Sequence, residues 1–441
     1  MINKYTVFGS AKLAGRVQVQ GAKNSAMKHV IIPLLTNGKF ILRNIPEISS
    51  TKKIAEILRL QGAEVKWPTG NVVEIDTSKV EKPVEIMSDL FYHTSGGILL
   101  IPILVNRFGY CEIKGPRRTD TGGDKIGRSM VRVNERLKEM GIKHCVKNES
   151  VYYSLERKSP IKYKVPKKSF GVSVLATFTA LMRRGKSEIV GPCSVAEFED
   201  VINILQKMGA RIKYMSDRLI VWGGKHLKGV VYENMHDRHD FITFLSAGLC
   251  TESEIEIENV DYQSMKLDCL EDFLYQAGIK VQFNKKTNRC FLRKNKLRGL
   301  KPVKIVAKEY PDFVTEWQVI MSPLLGLISG VSEVVEGYFT NRMRQWEELT
   351  KFGAKYRFIK HPDYPEEGGN PRCVRIFGGV RYKGAKVEAK NVRAGAAMLI
   401  AGLAGEGKTV IVDEGGNIDR GYENLDGRLR SLGANIKKEK K

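Results

Sequence analysis

Two kinds of apolar pattern alternate along the chain. Runs such as LLGLI at 324–328 and AMLIAGL at 397–403 are apolar nearly all round, which predicts helices buried on every face. Between them lie segments with a single apolar face and strand-like, Lys-rich stretches. The order is clearest from 162 to 222, where a strand at 162–165 leads to an apolar helix at 172–182 and a strand at 187–190. A second helix follows at 196–208, then a hairpin at 211–222 that turns at Ser216-Asp217. The pattern reads β-α-β-α-β-β.

The unit recurs. Six times a helix-like segment stops at Gly-Ala or Gly-Ile before a Lys-rich strand, at Gly62, Gly141, Gly209, Gly278, Gly353 and Gly433. Successive stops lie 79, 68, 69, 75 and 80 residues apart, which marks one supersecondary unit copied along the chain. Glycine suits such a stop because a helix C-cap often needs a left-handed backbone. After Gly433 the sixth copy has no room for its closing hairpin, and the strand-like run at 5–8 is the natural donor of the missing strand, with a second run at 16–20. The chain is therefore expected to begin and end in one lobe. Residues 22–230 form lobe one with copies one to three and a mobile loop near 115–130, and 1–21 plus 231–441 form lobe two with copies four to six. Buried helices beside amphipathic outer elements imply an α/β fold with helices inside and sheets outside, and 441 residues suffice for two cores.

A net charge of +24 invites a polyanion partner. The excess is spread through solvated runs at 183–186, 293–298 and 437–441 without interleaved aromatics, which favours a Lys-rich surface and anionic small substrates over nucleic acid. The seven cysteines show no CxxC pairing, which points to a reducing compartment and away from disulfides or zinc. No leader-like segment and no long apolar span is present, so a cytoplasmic protein without a membrane partner is expected.

Candidate chemistry concentrates at five places. GAKNSA at 21–26 puts Lys23 and Asn24 where a strand gives way to a helix, a setting that can hold an anion or simply start a Ser/Asn-capped helix. The loop GGDKIGR at 122–128 carries Asp124 and Arg128, and reads either as a ligand-approaching loop or as a surface turn. PDFVTEWQ at 311–318 puts Glu316 at the head of a buried helix, as a cap or as a reagent. Arg393 heads the corresponding helix of the sixth copy, and Arg420 lies in IDRGY at 418–422; both suit a carboxylate or phosphate.

Together these stretches resemble the enolpyruvyl transferases over the full length of the chain. GAKNSA at 21–26, TNR at 340–342 and IDRGYENLDGRLRSLGANI at 418–436 carry the resemblance. It implies a two-lobed inside-out α/β barrel with three repeats per lobe, and transfer of enolpyruvate from phosphoenolpyruvate to UDP-N-acetylglucosamine at the entry to peptidoglycan synthesis. It further implies that Lys23, Asn24, Arg128, Arg393 and Arg420 bind phosphoenolpyruvate. The UDP-sugar would meet Asn24, His93, Lys167, Ser169, Phe170, Gly171, Glu316 and Tyr338. Asp124 would be the general acid where most members have Cys, and members with Asp there escape alkylation by fosfomycin. Glu316, where the family usually has Asp, would take the proton of the sugar hydroxyl. Protonation of the substrate methylene, attack by the hydroxyl and loss of phosphate would then follow, with Lys23, Arg393 and Arg420 stabilising the shifting charge and no metal or cofactor.

The chain departs from the family pattern in places. His93 replaces an Arg, extra residues stand at 116–121, and Arg132, Val133 and Asn134 occupy positions where an Asp and a His contact the uracil nucleotide. A transferase with another hydroxyl acceptor and a non-catalytic paralogue are the alternatives. A DNA-encircling clamp also repeats a βα unit, but its helices must offer Lys and Arg to phosphates, and those at 172–182 and 394–403 have none. Oligomeric state is not readable from the sequence.

Overall fold

A computed structural model of the chain describes residues 2–92, 94, 96–115, 130–293 and 295–440. The chain divides into two compact units, Gly21–Met235 and a composite of Met1–Gln20 with His236–Lys441.

Six sheets are present among the described residues, three in each unit. In the third repeat the strands run Lys162–Lys164, Gly185–Val190, Arg218–Gly223, Arg211–Tyr214 across the sheet. The first pair is parallel and the others antiparallel. A parallel pair needs a crossover, and the helix Phe170–Leu181 supplies it. The hairpin closes through a hydrogen bond from Met215 N to Arg218 O at 2.8 Å, around Ser216 and Asp217.

In the composite unit Thr315–Leu327 and Val392–Ala404 are crossovers of the same kind, and they and Arg238–Cys250, the helix before Glu254–Glu258, pack on one another. Arg238–Cys250 is buried at every position, and the other two at every position but Glu316 and Ala404. Hydroxyls on these helices pair inside the unit: Thr243 meets the Tyr422 hydroxyl at 2.8 Å and Ser246 donates to Ile320 O at 3.0 Å.

All six repeat glycines follow the second helix of their repeat and have positive φ, between 68° and 103°. In five of them the next residue's N–H reaches the carbonyl five residues back: Ala63 to Leu58, Ala210 to Leu205, Ile279 to Leu274, Ala354 to Leu349 and Ala434 to Leu429. This is the Schellman arrangement, and it explains the pairing of Gly with Ala or Ile, because the residue after the glycine turns inward and is buried at all six stops.

The strand Ile2–Phe8 lies between Lys408–Glu414 and Asn435–Lys440, antiparallel to both, and so completes the sixth sheet. Two further strands pair far from their sequence neighbours. Ala14–Gln18 runs parallel to Glu254–Glu258, and Val231–Glu233 runs parallel to Lys39–Arg43. Each unit is thus closed by a strand from a distant part of the chain.

Sheet and helix pack closely at Gly378, where a Cβ would sit 1.9 Å from Ile328 O and 2.8 Å from Leu325 O. Both obstacles are backbone and cannot rotate away. Gly378→Ala is expected to lower the unfolding free energy by about 3 kcal/mol, measured by urea denaturation; a change under about 0.5 kcal/mol would show that the two layers are free to separate.

Candidate active site

The heads of the inner helices of the composite unit carry its unusual chemistry. Glu316 is the second residue of Thr315–Leu327, and the N-cap Val314 offers no side-chain cap. The Glu316 carboxylate does not cap the helix. Its Oε2 accepts from Arg393 Nε at 3.0 Å, with Arg393 Nη2 also at 3.0 Å and His239 Nε2 at 3.2 Å. Arg342 Nη2 stands 4.0 Å from the other oxygen.

Arg393 is the second residue of Val392–Ala404, where the Asn391 side chain caps the helix by accepting from Arg393 N at 3.1 Å and Ala394 N at 2.9 Å. Its guanidinium lies 5.2 Å from the Tyr422 ring centre. Burial disfavours the cation, but Tyr422, Glu316 and Asp237 outweigh it and raise its pKa. Nη1 is buried with no hydrogen-bond acceptor among the described residues. A buried guanidinium donor in that condition suits an additional anionic acceptor.

A second carboxylate organises the neighbouring loop. Glu336 is fully buried, and it accepts from Thr315 Oγ1 at 2.6 Å, Gln318 Nε2 at 3.3 Å and the backbone N–H groups of Tyr338 and Phe339 at 3.0 and 2.9 Å. Burial pushes its carboxyl pKa up, against Arg342 and these hydrogen bonds. Tyr338 is therefore placed by its own backbone. Arg342, in the TNR segment, stacks 3.8 Å over Phe339, and its backbone carbonyl accepts from Gln318 Nε2 at 2.9 Å.

The IDRGY segment divides its labour. Asp413 accepts from Asn417 N at 2.6 Å and Ile418 N at 3.0 Å, fixing the turn that carries Arg420, whose pKa burial lowers against the opposing charge of Asp413. Asp419 is structural: Lys438 Nζ reaches it at 2.6 and 2.7 Å, Asn3 at 3.0 Å and Tyr5 at 3.2 Å.

In the Gly21–Met235 unit, Lys23 is the first residue of the helix Lys23–Ile31, whose N-cap is Ala22 with no side-chain cap. The Ser/Asn-capped start considered for GAKNSA is thus not what forms. Backbone bonding holds the turn instead, with Ala22 N donating to Met235 O at 2.7 Å and Asn234 Nδ2 to Ala22 O at 3.3 Å. Lys23 and Asn24 are half-buried. One turn on, buried Lys28 lies 4.5 Å over the Phe170 ring. That contact joins this helix to the segment holding Lys167, Ser169, Phe170 and Gly171.

Lys167 and Lys168 both have left-handed backbones, at φ 51° and 47°, which is unusual for two successive residues with side chains. Ser169 follows as the N-cap of Phe170–Leu181, its carbonyl accepting from Ser173 N at 2.8 Å. Nothing lies within 4 Å of a Cβ built on Gly171, so packing alone does not require glycine there. His93, Asp124 and Arg128 lie outside the described residues.

Sequence reasoning missed two participants. His239 sits in DRHD at the head of an otherwise apolar helix, the same signal that singled out Glu316 and Arg393. Arg342 lies in TNR, noted above only as a family pattern. Among the described residues no cluster of three or more His, Cys, Asp or Glu side chains is placed to hold a metal, and no helix is long and apolar enough to cross a membrane.

Comparison with known proteins decides the family. The model of the family "EPSP synthase (3-phosphoshikimate 1-carboxyvinyltransferase)" matches residues 7–429. The chain belongs to this family of enolpyruvyl transferases. It is 31% identical to the UDP-N-acetylglucosamine 1-carboxyvinyltransferase 2 of Carboxydothermus hydrogenoformans, with 99% of each chain covered. It is 29% identical to the UDP-N-acetylglucosamine 1-carboxyvinyltransferase 1 of Clostridium acetobutylicum, over 99% of this chain and 100% of the other. In structure it is similar to the enolpyruvyl transferase NikO from Streptomyces tendae, at a TM-score of 0.86 and 20% identity over 99% of both chains. EPSP synthase from Acinetobacter baumannii follows at 0.71 and 14% over 100% of both. These two share the two-lobed α/β fold of this enolpyruvyl transferase.

The helix that begins with Lys23 is anchored by a buried histidine. His29 lies 3.5 Å from Asp200 and packs edge-on to Tyr232 at 5.1 Å. Burial lowers its pKa from the ordinary 6.5, with Asp200 opposing and Lys28 assisting. Its contribution to stability is therefore present above pH 6.5 and is lost as pH falls through the lowered folded value. His29→Leu is expected to flatten the stability curve between pH 6.5 and the lowered folded value by up to about 1.4 kcal/mol per pH unit. Denaturant titrations between pH 7.5 and 5, set at roughly half-unit steps, check this, and identical slopes in the two proteins would contradict it.

Proposed function

We propose that this protein transfers the enolpyruvyl group of phosphoenolpyruvate to the 3-hydroxyl of UDP-N-acetylglucosamine and releases phosphate, the committed entry to peptidoglycan synthesis. Full-length similarity to carboxyvinyltransferases of that acceptor supports the reading. The observation that carries it within the molecule is the meeting of Glu316 and Arg393 at two inner helix heads, a base beside an anion-binding cation. The setting is the bacterial cytoplasm.

In this reading Lys23, Asn24, Arg128, Arg393 and Arg420 receive the phosphate and carboxylate of phosphoenolpyruvate. Lys167, Ser169, Phe170, Gly171, His93 and Tyr338 receive the UDP-sugar. Asp124 delivers a proton to the methylene carbon, leaving a cationic centre at the neighbouring carbon. The sugar oxygen bonds to that carbon and its proton passes to Glu316. Return of a proton from the new methyl group to the Asp124 carboxylate and departure of phosphate restore the double bond. The general acid must stay protonated until that moment, which needs a carboxyl pKa raised by burial. The cations stabilise negative charge as it moves toward the leaving phosphate.

A different hydroxyl acceptor is the second reading, favoured by His93 and by the Arg132-Val133-Asn134 segment where the nucleotide contacts differ. Phosphate release from phosphoenolpyruvate separates the two. Wild type is expected to release phosphate only when UDP-N-acetylglucosamine is present, and Asp124→Asn to lose at least about 100-fold in kcat. Release with another hydroxyl compound alone would move the protein to the second reading. Fosfomycin is expected to leave activity intact during prolonged incubation, because Asp124 offers no thiolate to alkylate; time-dependent inactivation would contradict the assignment of Asp124.

A further inference from the structure

We propose that His239 is a positioning residue for Glu316, holding that carboxylate in place while Arg393 turns to the anionic substrate. The inference rests on the transfer reading above and deepens it.

Glu316 Oε2 has two holders on separate helices, Arg393 at 3.0 Å and His239 Nε2 at 3.2 Å. In the transfer reading Arg393 also binds phosphoenolpyruvate, and a bidentate grip on that anion takes Nη2 together with the unpaired Nη1, which leaves Glu316 with only the Nε bond from Arg393. The carboxylate then relies more on the imidazole at its Oε2.

His239 is built for that. Its side chain is 3% exposed, against 23% for Glu316. Its backbone is pinned on both sides: its N–H donates to the N-cap Asp237 at 2.8 Å, and its carbonyl accepts from Thr243 Oγ1 at 2.8 Å. Asp237 is itself tied down, with its N–H on Gln20 O at 2.8 Å. The imidazole has only two side-chain dihedrals, so little freedom remains to be lost when it orients a partner.

The chemistry of the holder matters as well. The imidazole presents Nε2 to the carboxylate as a single donor, which fixes one oxygen and leaves its remaining lone pairs to the substrate hydroxyl. Glu316 is one methylene longer than the Asp the family usually places there, and that length is what brings Oε2 to His239. Histidine and glutamate thus form one device, and shortening the acid withdraws it from its holder by about 1.5 Å.

The test uses the full chain with His239→Leu and His239→Gln, the latter retaining an N–H donor near the Nε2 position. His239→Leu is expected to lower kcat by about 10- to 100-fold with both KM values within about threefold, and His239→Gln to recover most of the loss. A Leu variant within about twofold of wild type in kcat, or a Gln variant no better than Leu, would overturn the proposal. A second readout does not need turnover: the imidazole nitrogen resonances of His239 in wild type and in Glu316→Gln, with and without phosphoenolpyruvate. The expected spectrum shows the Nε2–H tautomer, sensitive to Glu316→Gln and retained on substrate addition. Resonances indifferent to Glu316→Gln would sink the idea even if the Leu variant failed to fold. Absence of phosphate release with every acceptor in wild type would instead remove the transfer reading, and with it the role assigned here to His239, while the same spectra would still decide the contact.

Discussion

Burial of the inner helices around their whole circumference is the constraint from which the rest of the composite unit follows. Such helices can show polar groups only at their ends, and charges placed there have little water to turn to. Each charged head has therefore acquired a fixed partner. Asp240 is fully buried and is gripped by Arg428 at 2.6 and 2.9 Å, with Gln20 N–H also on it at 3.0 Å. Glu316 has Arg393 and His239. These pairings tie the C-terminal motif and the chain before residue 21 to the same helix heads, so one packing rule places both the fold and the candidate chemistry.

Buried pairs of this kind add little to stability over an apolar substitute, and removal of one partner typically costs about 3 to 5 kcal/mol. Their value in a transferase lies elsewhere. A guanidinium already stripped of water and held by Glu316 and Tyr422 binds an anion without first losing its own hydration. The half-exposed lysines and the left-handed Lys167-Lys168 turn of the other unit follow a different principle, in which backbone shape is fixed first and side chains are left to meet a ligand.

Much of the fold was legible in the sequence because it rests on local rules repeated six times. Apolar periodicity marked the inner helices, and the Gly-Ala and Gly-Ile stops reflect one Schellman cap whose following residue turns inward. The need for a strand from 5–8 followed from the truncated sixth copy, and Ile2–Phe8 fills that place. What stayed hidden was non-local. The run near 16–20 leads toward the helix at Lys23 as expected, but its partner was not readable: Ala14–Gln18 pairs with Glu254–Glu258, about 240 residues away in the hydrogen-bond pattern. At the site, Glu316 and Arg393 were visible as charges on apolar helices, but their meeting across 77 residues was not. His239 was hidden by its neighbours, since DRHD reads as a capped helix start until the fold shows which of its side chains faces Glu316.

Which hydroxyl receives the enolpyruvyl group is decided in one reaction mixture. Phosphoenolpyruvate would be supplied together with UDP-N-acetylglucosamine and 3-phosphoshikimate, and the vinyl protons of any product assigned by NMR to one acceptor or the other. The expected product is a vinyl ether on the UDP-sugar and none on the shikimate. A vinyl ether on 3-phosphoshikimate alone, with the UDP-sugar unchanged, would contradict transfer to the UDP-sugar.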